Sequence, residues 1–172
     1  MVGPLHELEL IKCWGNHAEF SRKLRALGLT SDLPSLEHQV RAVGVAWFGL
    51  GRDHLVDAKQ LLAVGAVRGV YSRAYYAAYN FSKTVRFLVQ GLVSLKGDDH
   101  RAVGRLPDDL ADSSRWATEL EALYEDRLRA DYDNWSDTTA KYTRPPAASV
   151  ATAEQFEQVA AAYLQAKTGL TP

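Results

Sequence analysis

The sequence predicts an all-α fold, an antiparallel four-helix bundle with an N-terminal helical extension. Three observations carry that expectation. Apolar residues recur at steps of three and four over long stretches, strand-like alternation is scarce, and glycine and proline gather mainly between the periodic stretches.

The longest stripe follows Pro34 and runs through Leu36, Val40, Val43, Trp47, Leu50, His54, Ala58 and Leu61. Gly44, Gly49 and Gly51 fall off that stripe, marking either a kink or the close approach of a neighbour. Gly65 suits a helix C-cap, and with Gly69 it brackets a turn. A second helix is expected from about Val70 to Leu92, with Gly91 helping to end it and Ala74, Ala77, Phe81, Val85 and Leu88 facing inward. Lys96 to Pro107 reads as a polar, basic loop with one helical turn at His100–Arg105. Asp112 or Ser113 is placed to cap a third helix near Trp116, which turns Leu120, Leu123 and Ala130 inward. Asp133 to Ala147 contains Pro145-Pro146 and reads as a loop. A last helix from about Ser149 turns Ala153, Phe156, Val159, Ala160, Tyr163 and Leu164 to the core. Ahead of all these, Pro4 suits a helix start, with Leu8, Ile11, Phe20, Leu24 and Leu27 as inward positions. The chain thus divides into an extension, residues 1–34, and a bundle, residues 35–172.

A chain of 172 residues with 47% apolar and 24% charged residues has the composition of one folded domain, which argues against gross disorder. The single cysteine, Cys13, cannot form an internal disulfide, and this fits a reducing, cytoplasmic setting. Glu7 and Glu9 interrupt the first apolar stretch, which is wrong for a secretory signal, and no run approaches the ~20 apolar residues of a membrane span. Net charge is −1, so no global basic field attracts nucleic acid. The distribution is uneven, however: Arg68 to Arg105 is basic and Leu106 to Thr138 strongly acidic. Two readings fit, a phosphate-facing side or two elements that attract each other across the bundle.

Arg73, Tyr76, Asn80 and Lys83 or Thr84 share one face of the second helix, with Tyr75 and Tyr79 beside them. A guanidinium, a phenol and an amide in that arrangement suit a phosphate or a base edge, and they equally suit Arg73 pairing with an acid of the third helix. Arg127 and Asp131 stand four apart and can pair along the surface, or can pair inside the bundle and position Arg73 or Tyr76. Asp131 and Asp133 are two apart and diverge on a helix, so no metal site is read there. Neither phosphate-loop glycines nor paired zinc-ligand spacings occur, and no cofactor is expected. His6 and His17 lie in the extension, His38 lies near a helix start, and His54 on the apolar stripe reads as a core histidine bonded to a neighbour. His100, between Asp99 and Arg101, is the one histidine placed for catalysis.

Two strings, Ser72-Arg73-Ala74-Tyr75-Tyr76-Ala77-Ala78-Tyr79-Asn80-Phe81 and Leu123-Tyr124 through Arg127 to Ala130-Asp131-Tyr132-Asp133, resemble the two signatures of the HEPN domain family. Asp57 to Leu62, followed by Arg68-Gly69-Val70, is similar to the family's first-helix ending, and the resemblance covers roughly Gln39 to Leu170. It implies a prokaryotic defence or toxin–antitoxin setting and a homodimer that gathers the arginine-bearing helices around a shared cleft. It also implies an RNA or nucleotide ligand, or a protein partner of the nucleotidyltransferase type. Active members place a histidine after the arginine with four to six residues between them, and cleave RNA without a metal. Arg73 fills the arginine role, but positions 78, 79 and 80 are Ala, Tyr and Asn. Asparagine does not titrate near neutrality, and a tyrosine base at 76 or 79 would need its pKa far below 10. The expectation is therefore a cleft of Arg73, Tyr76, Tyr79, Asn80, Arg127, Asp131 and Tyr132 that binds without the usual cleavage chemistry. The alternatives are a ribonuclease with a non-standard site, using His100 or a tyrosine, and a non-catalytic adaptor for a protein partner.

Overall fold

The structure, a computed structural model, describes residues 11, 12, 14, 26, 33–94, 98–133 and 141–172. Most of the predicted extension, including Pro4, His6, Leu8, His17, Phe20, Leu24 and Leu27, lies outside the described residues, as do Lys96 and residues 134–140 of the predicted loop. Among the described residues every regular element is helical: α1 (Leu33–Ala63), α2 (Val67–Val85), α3 (Ser113–Tyr132) and α4 (Pro146–Thr168). No helix among them is long and apolar enough to cross a membrane. A short 3-10 turn, Asp99–Ala102, stands where the sequence placed a helical turn.

Gly65 takes a left-handed φ of 73°, and a three-residue connection folds α2 back along α1. Arg68 bonds to Ala130 and Tyr76 to Arg127, so α3 runs against α2. The ion pairs Lys59–Glu154 and Arg52–Glu157 run α4 against α1. The result is up-down-up-down, with α2 packed against all three other helices.

The stripe on α1 is shifted from its sequence reading. Leu36, Val40, Trp47 and Ala58 are buried as expected, but Leu50 is 45% exposed and Phe48 and Leu55 are buried instead. Gly44 and Gly51 turn out to sit on the buried side, facing α2. A Cβ on Gly51 would lie 2.5 Å from the Phe81 ring and 3.1 Å from the Ala77 carbonyl oxygen, so the absent side chain is what lets the two helices approach. Phe81 fills that contact, fully buried and 4.6 Å from Phe48 between ring centroids.

Helix α2 keeps its predicted inward face of Ala74, Ala77, Phe81, Val85 and Leu88, and it begins three residues earlier than expected. Its last turn is not α-helical. Arg86–Gln90 widens into a π turn that ends at Gly91, with φ 69°. The indole N–H of Trp14 donates to the Phe87 carbonyl there at 2.6 Å, and Ile11 joins the core. At the start of α3, Asp112 holds the N-cap position with a left-handed φ of 55°, yet its side chain makes no capping bond. Helix α4 also starts earlier than expected, with Pro146 in its first turn.

Candidate functional site

Tyr76 is the centre of a polar band that crosses α1, α2, α3 and the 3-10 turn. Its hydroxyl accepts a 2.7 Å hydrogen bond from Nη2 of Arg127. Its ring lies between two imidazoles, His54 at 5.6 Å and His100 at 5.8 Å between centroids. Three basic side chains, His54, Arg127 and His100, therefore meet at one phenol.

On the α1 side, Nη1 of Arg73 stands 3.1 Å from Nδ1 of His54, and its Nε is 3.8 Å from Asp57. The alternative of Arg73 pairing with an acid of the third helix is not what the structure shows: its partners are on α1. A guanidinium has no acceptor, so Nδ1 of His54 must accept and the ring proton sits on Nε2. Burial, and then the nearby Arg73 charge, hold the His54 pKa below its usual value and favour that neutral form. His54, read from the sequence as a core residue, is bonded to a neighbour as expected, but it is only partly buried.

On the α3 side an open cleft of about 510 Å³ is lined by Asp98, His100, Arg101, Tyr124, Arg127, Leu128 and Tyr132. The Arg127 guanidinium lies 5.2 Å from the Tyr132 ring centroid and 5.3 Å from that of Tyr76. Asp131 approaches its Nε at 2.7 Å without a well-formed hydrogen bond, so the two pair by charge. Tyr132, 66% exposed, forms the rim.

His100 is held by three things. Its ring stacks on Tyr79 at 4.3 Å, and its Nδ1 stands 2.8 Å from the hydroxyl of the fully buried Tyr75. The third is the buried pair beneath its turn: Asp99 accepts both terminal nitrogens of Arg86, at 2.9 and 2.8 Å. Asp99 also accepts the Tyr79 hydroxyl at 2.9 Å and the Ser94 backbone N–H at 2.8 Å. Burial opposes the Asp99 charge, but the Arg86 hydrogen bonds and charge prevail and keep its pKa below the usual value. Burial and the Arg127 charge lower the His100 pKa despite Asp99. Burial drives both Tyr75 and Tyr79 upward, so each remains a phenol at neutral pH and Tyr79 is unsuited to act as a base.

Of the residues singled out in the sequence, Tyr76, Arg127, Asp131 and Tyr132 come together, Arg73 joins from the α1 side, and Tyr79 lies beneath His100. Asn80 is buried, and its amide donates to the Tyr76 carbonyl one turn back at 2.8 Å. Lys83 covers the Trp47 ring at 3.6 Å, and Thr84 bonds to backbone carbonyls of Asn80 and Gly44. These three therefore do not line the cleft. Sequence reasoning missed the roles of Arg86 and Asp99. The first had a signal: Tyr79, Ser82 and Arg86 follow one another at steps of three and four, directly toward the turn that carries Asp99.

No group of three or more His, Cys, Asp or Glu side chains is placed to hold a metal among the described residues. Comparison with known protein families, with curated proteins and with solved structures finds no match.

Proposed function

We propose that this protein is a HEPN-like helical bundle that binds RNA or nucleotide phosphate in the cleft between the 3-10 turn and α3. The observation that carries this reading is the convergence of His100, Arg101, Arg127 and the aromatic rings of Tyr124 and Tyr132 on one open cleft. Guanidinium groups take phosphate oxygens in a fixed fork, and exposed aromatic rings stack on bases whatever their sequence. The setting that follows from the family resemblance is prokaryotic defence or toxin–antitoxin chemistry. Homodimerisation belongs to the same reading, and the outward side chains Val45 and Val56 of α1 supply apolar surface for it.

A titration of labelled single-stranded RNA in EDTA, followed by fluorescence anisotropy at several salt concentrations, tests the binding. Affinity should fall as salt rises, and Arg127→Gln should weaken binding by about tenfold while leaving the helical circular dichroism unchanged. Equal affinity in the variant would remove Arg127, and with it this cleft, from the account.

A second reading, a ribonuclease with a non-standard site, is favoured by one observation: His100 lies beside Arg127 in the cleft although no histidine follows Arg73 at the family's spacing. In that reaction a base would take the ribose 2′-hydroxyl proton while the guanidinium stabilises the phosphate charge.

A further inference from the structure

The imidazole of His100 can serve the cleft in two opposite ways, as a base through a free lone pair or as a donor through an N–H, and its hydrogen bond decides which. Nδ1 stands 2.8 Å from the Tyr75 hydroxyl. Tyr75 is fully buried, and burial raises its pKa, so the hydroxyl keeps its proton and needs an acceptor. Among the described residues, Nδ1 of His100 is the acceptor within hydrogen-bond distance of it. The ring proton is thereby left on Nε2. With Nδ1 turned inward, the Nε2 edge is what His100 has to offer as a lining residue of the cleft.

We propose that Tyr75 is a positioning residue that locks His100 as a neutral Nε2–H donor, so that the cleft offers an anionic phosphate oxygen the donors of His100, Arg101 and Arg127 and holds no imidazole base. The ligand half of this inference rests on the phosphate-binding reading above; the tautomer half does not. His54 is built the same way on the other side of Tyr76, its Nδ1 occupied by Arg73. The groups around His100 agree with a neutral ring: Arg127 of α3 and Lys83 and Arg86 of the α2 segment oppose a second proton, and Asp99 on its own turn, which favours one, is already paired to Arg86. Tyr76 and Tyr79 pack on the ring, and Tyr124 packs on Tyr75. Arg101, Arg127 and a neutral His100 give the cleft donors for a phosphate oxygen, and His100, its Nδ1 occupied, has no free lone pair to pull a proton from a ribose hydroxyl.

Long-range proton–nitrogen NMR on the uniformly 15N-labelled full chain reads the tautomer directly. At pH 7 the expected result is an unprotonated Nδ1 and a protonated Nε2 on His100. In Tyr75→Phe, which removes only the hydroxyl, the ring should populate both tautomers and its pKa should rise, because a donor to the neutral form is lost. A proton on Nδ1 in wild type, or a spectrum unchanged in Tyr75→Phe, overturns the inference. Binding of a single-stranded RNA oligomer supplies the second arm. His100→Gln, which keeps a neutral N–H donor, should retain affinity within about threefold, whereas His100→Ala should lose about tenfold. Equal losses in the two variants would count against a donor role. Failure of wild type to bind RNA overturns the phosphate reading by itself, and the NMR arm still decides the tautomer.

Discussion

Arg73 and Arg86 rise from one continuous helical segment, and the bundle treats them in opposite ways. Arg86 is 1% exposed and delivers two hydrogen bonds to a carboxylate that also takes Tyr79 and Ser94. Arg73 keeps 43% of its side-chain surface, its nearest carboxylate among the described residues is 3.8 Å away, and its hydrogen bond goes to the His54 imidazole. A buried, fully satisfied pair of this kind fixes geometry, while a half-exposed guanidinium with a loose counter-ion is available to a ligand. The arginine within the Ser72–Phe81 string therefore stays half-exposed on the α1 side, and the arginine no motif marks holds the His100 turn in place.

The largest effect should come from breaking the buried end. Arg86→Ala leaves Asp99 charged and unpaired in the interior, which should cost about 3–5 kcal/mol in urea unfolding. A loss under about 1 kcal/mol would mean that the pair is solvated and does not brace the turn.

Acid should weaken the same region next. The folded-state pKa values of His54 and His100 lie below 6.5, so the unfolded chain binds more protons as pH drops below that value. Stability should decline from about pH 6.5 downward and level off below the folded pKa values. Asp99 is depressed in the fold, so its contribution is present above the ordinary carboxylate value of 3.8 and is lost as pH falls through its folded pKa. Chemical denaturation across pH 4 to 8 measures the first phase, and His100→Gln should shrink it. A flat profile through pH 6 would contradict the neutral histidines.

The smallest stability change belongs to Arg73→Ala, within about 1 kcal/mol, because its ion pair is exposed and long. RNA affinity should nonetheless fall in that variant, with a shallower salt dependence. Equal affinity with a large stability loss would reverse the contrast between the two arginines.

Much of this fold was legible because the bundle is built from long periodic helices. The inward faces of α2 and α4 follow from spacing alone, and Gly65 marks the turn between α1 and α2. The register of α1 was harder to read. A 31-residue helix with apolar residues on more than one side offers two stripes, and the close approach of α2 at Gly51 selects the one through Phe48 and Leu55 over Leu50. The π turn at Arg86 carries no local signature. In the site, Arg73 and Tyr76, which share a helix face, both meet His54, whereas Asn80 on the same face is covered by packing. His100 could not be placed from spacing, because its position depends on a buried ion pair between Arg86 and its own turn.

The central claim is that the cleft holds phosphate through the donors of His100, Arg101 and Arg127 and has no imidazole base. Incubating single-stranded RNA with the purified protein in EDTA and resolving the products tests it most directly, with Asn80→His and His100→Ala alongside. The account expects intact RNA from wild type, and also from Asn80→His, whose imidazole would be buried away from the cleft. RNA cut to 2′,3′-cyclic phosphate ends by wild type, with cutting lost in His100→Ala, would contradict it and make His100 a catalytic base.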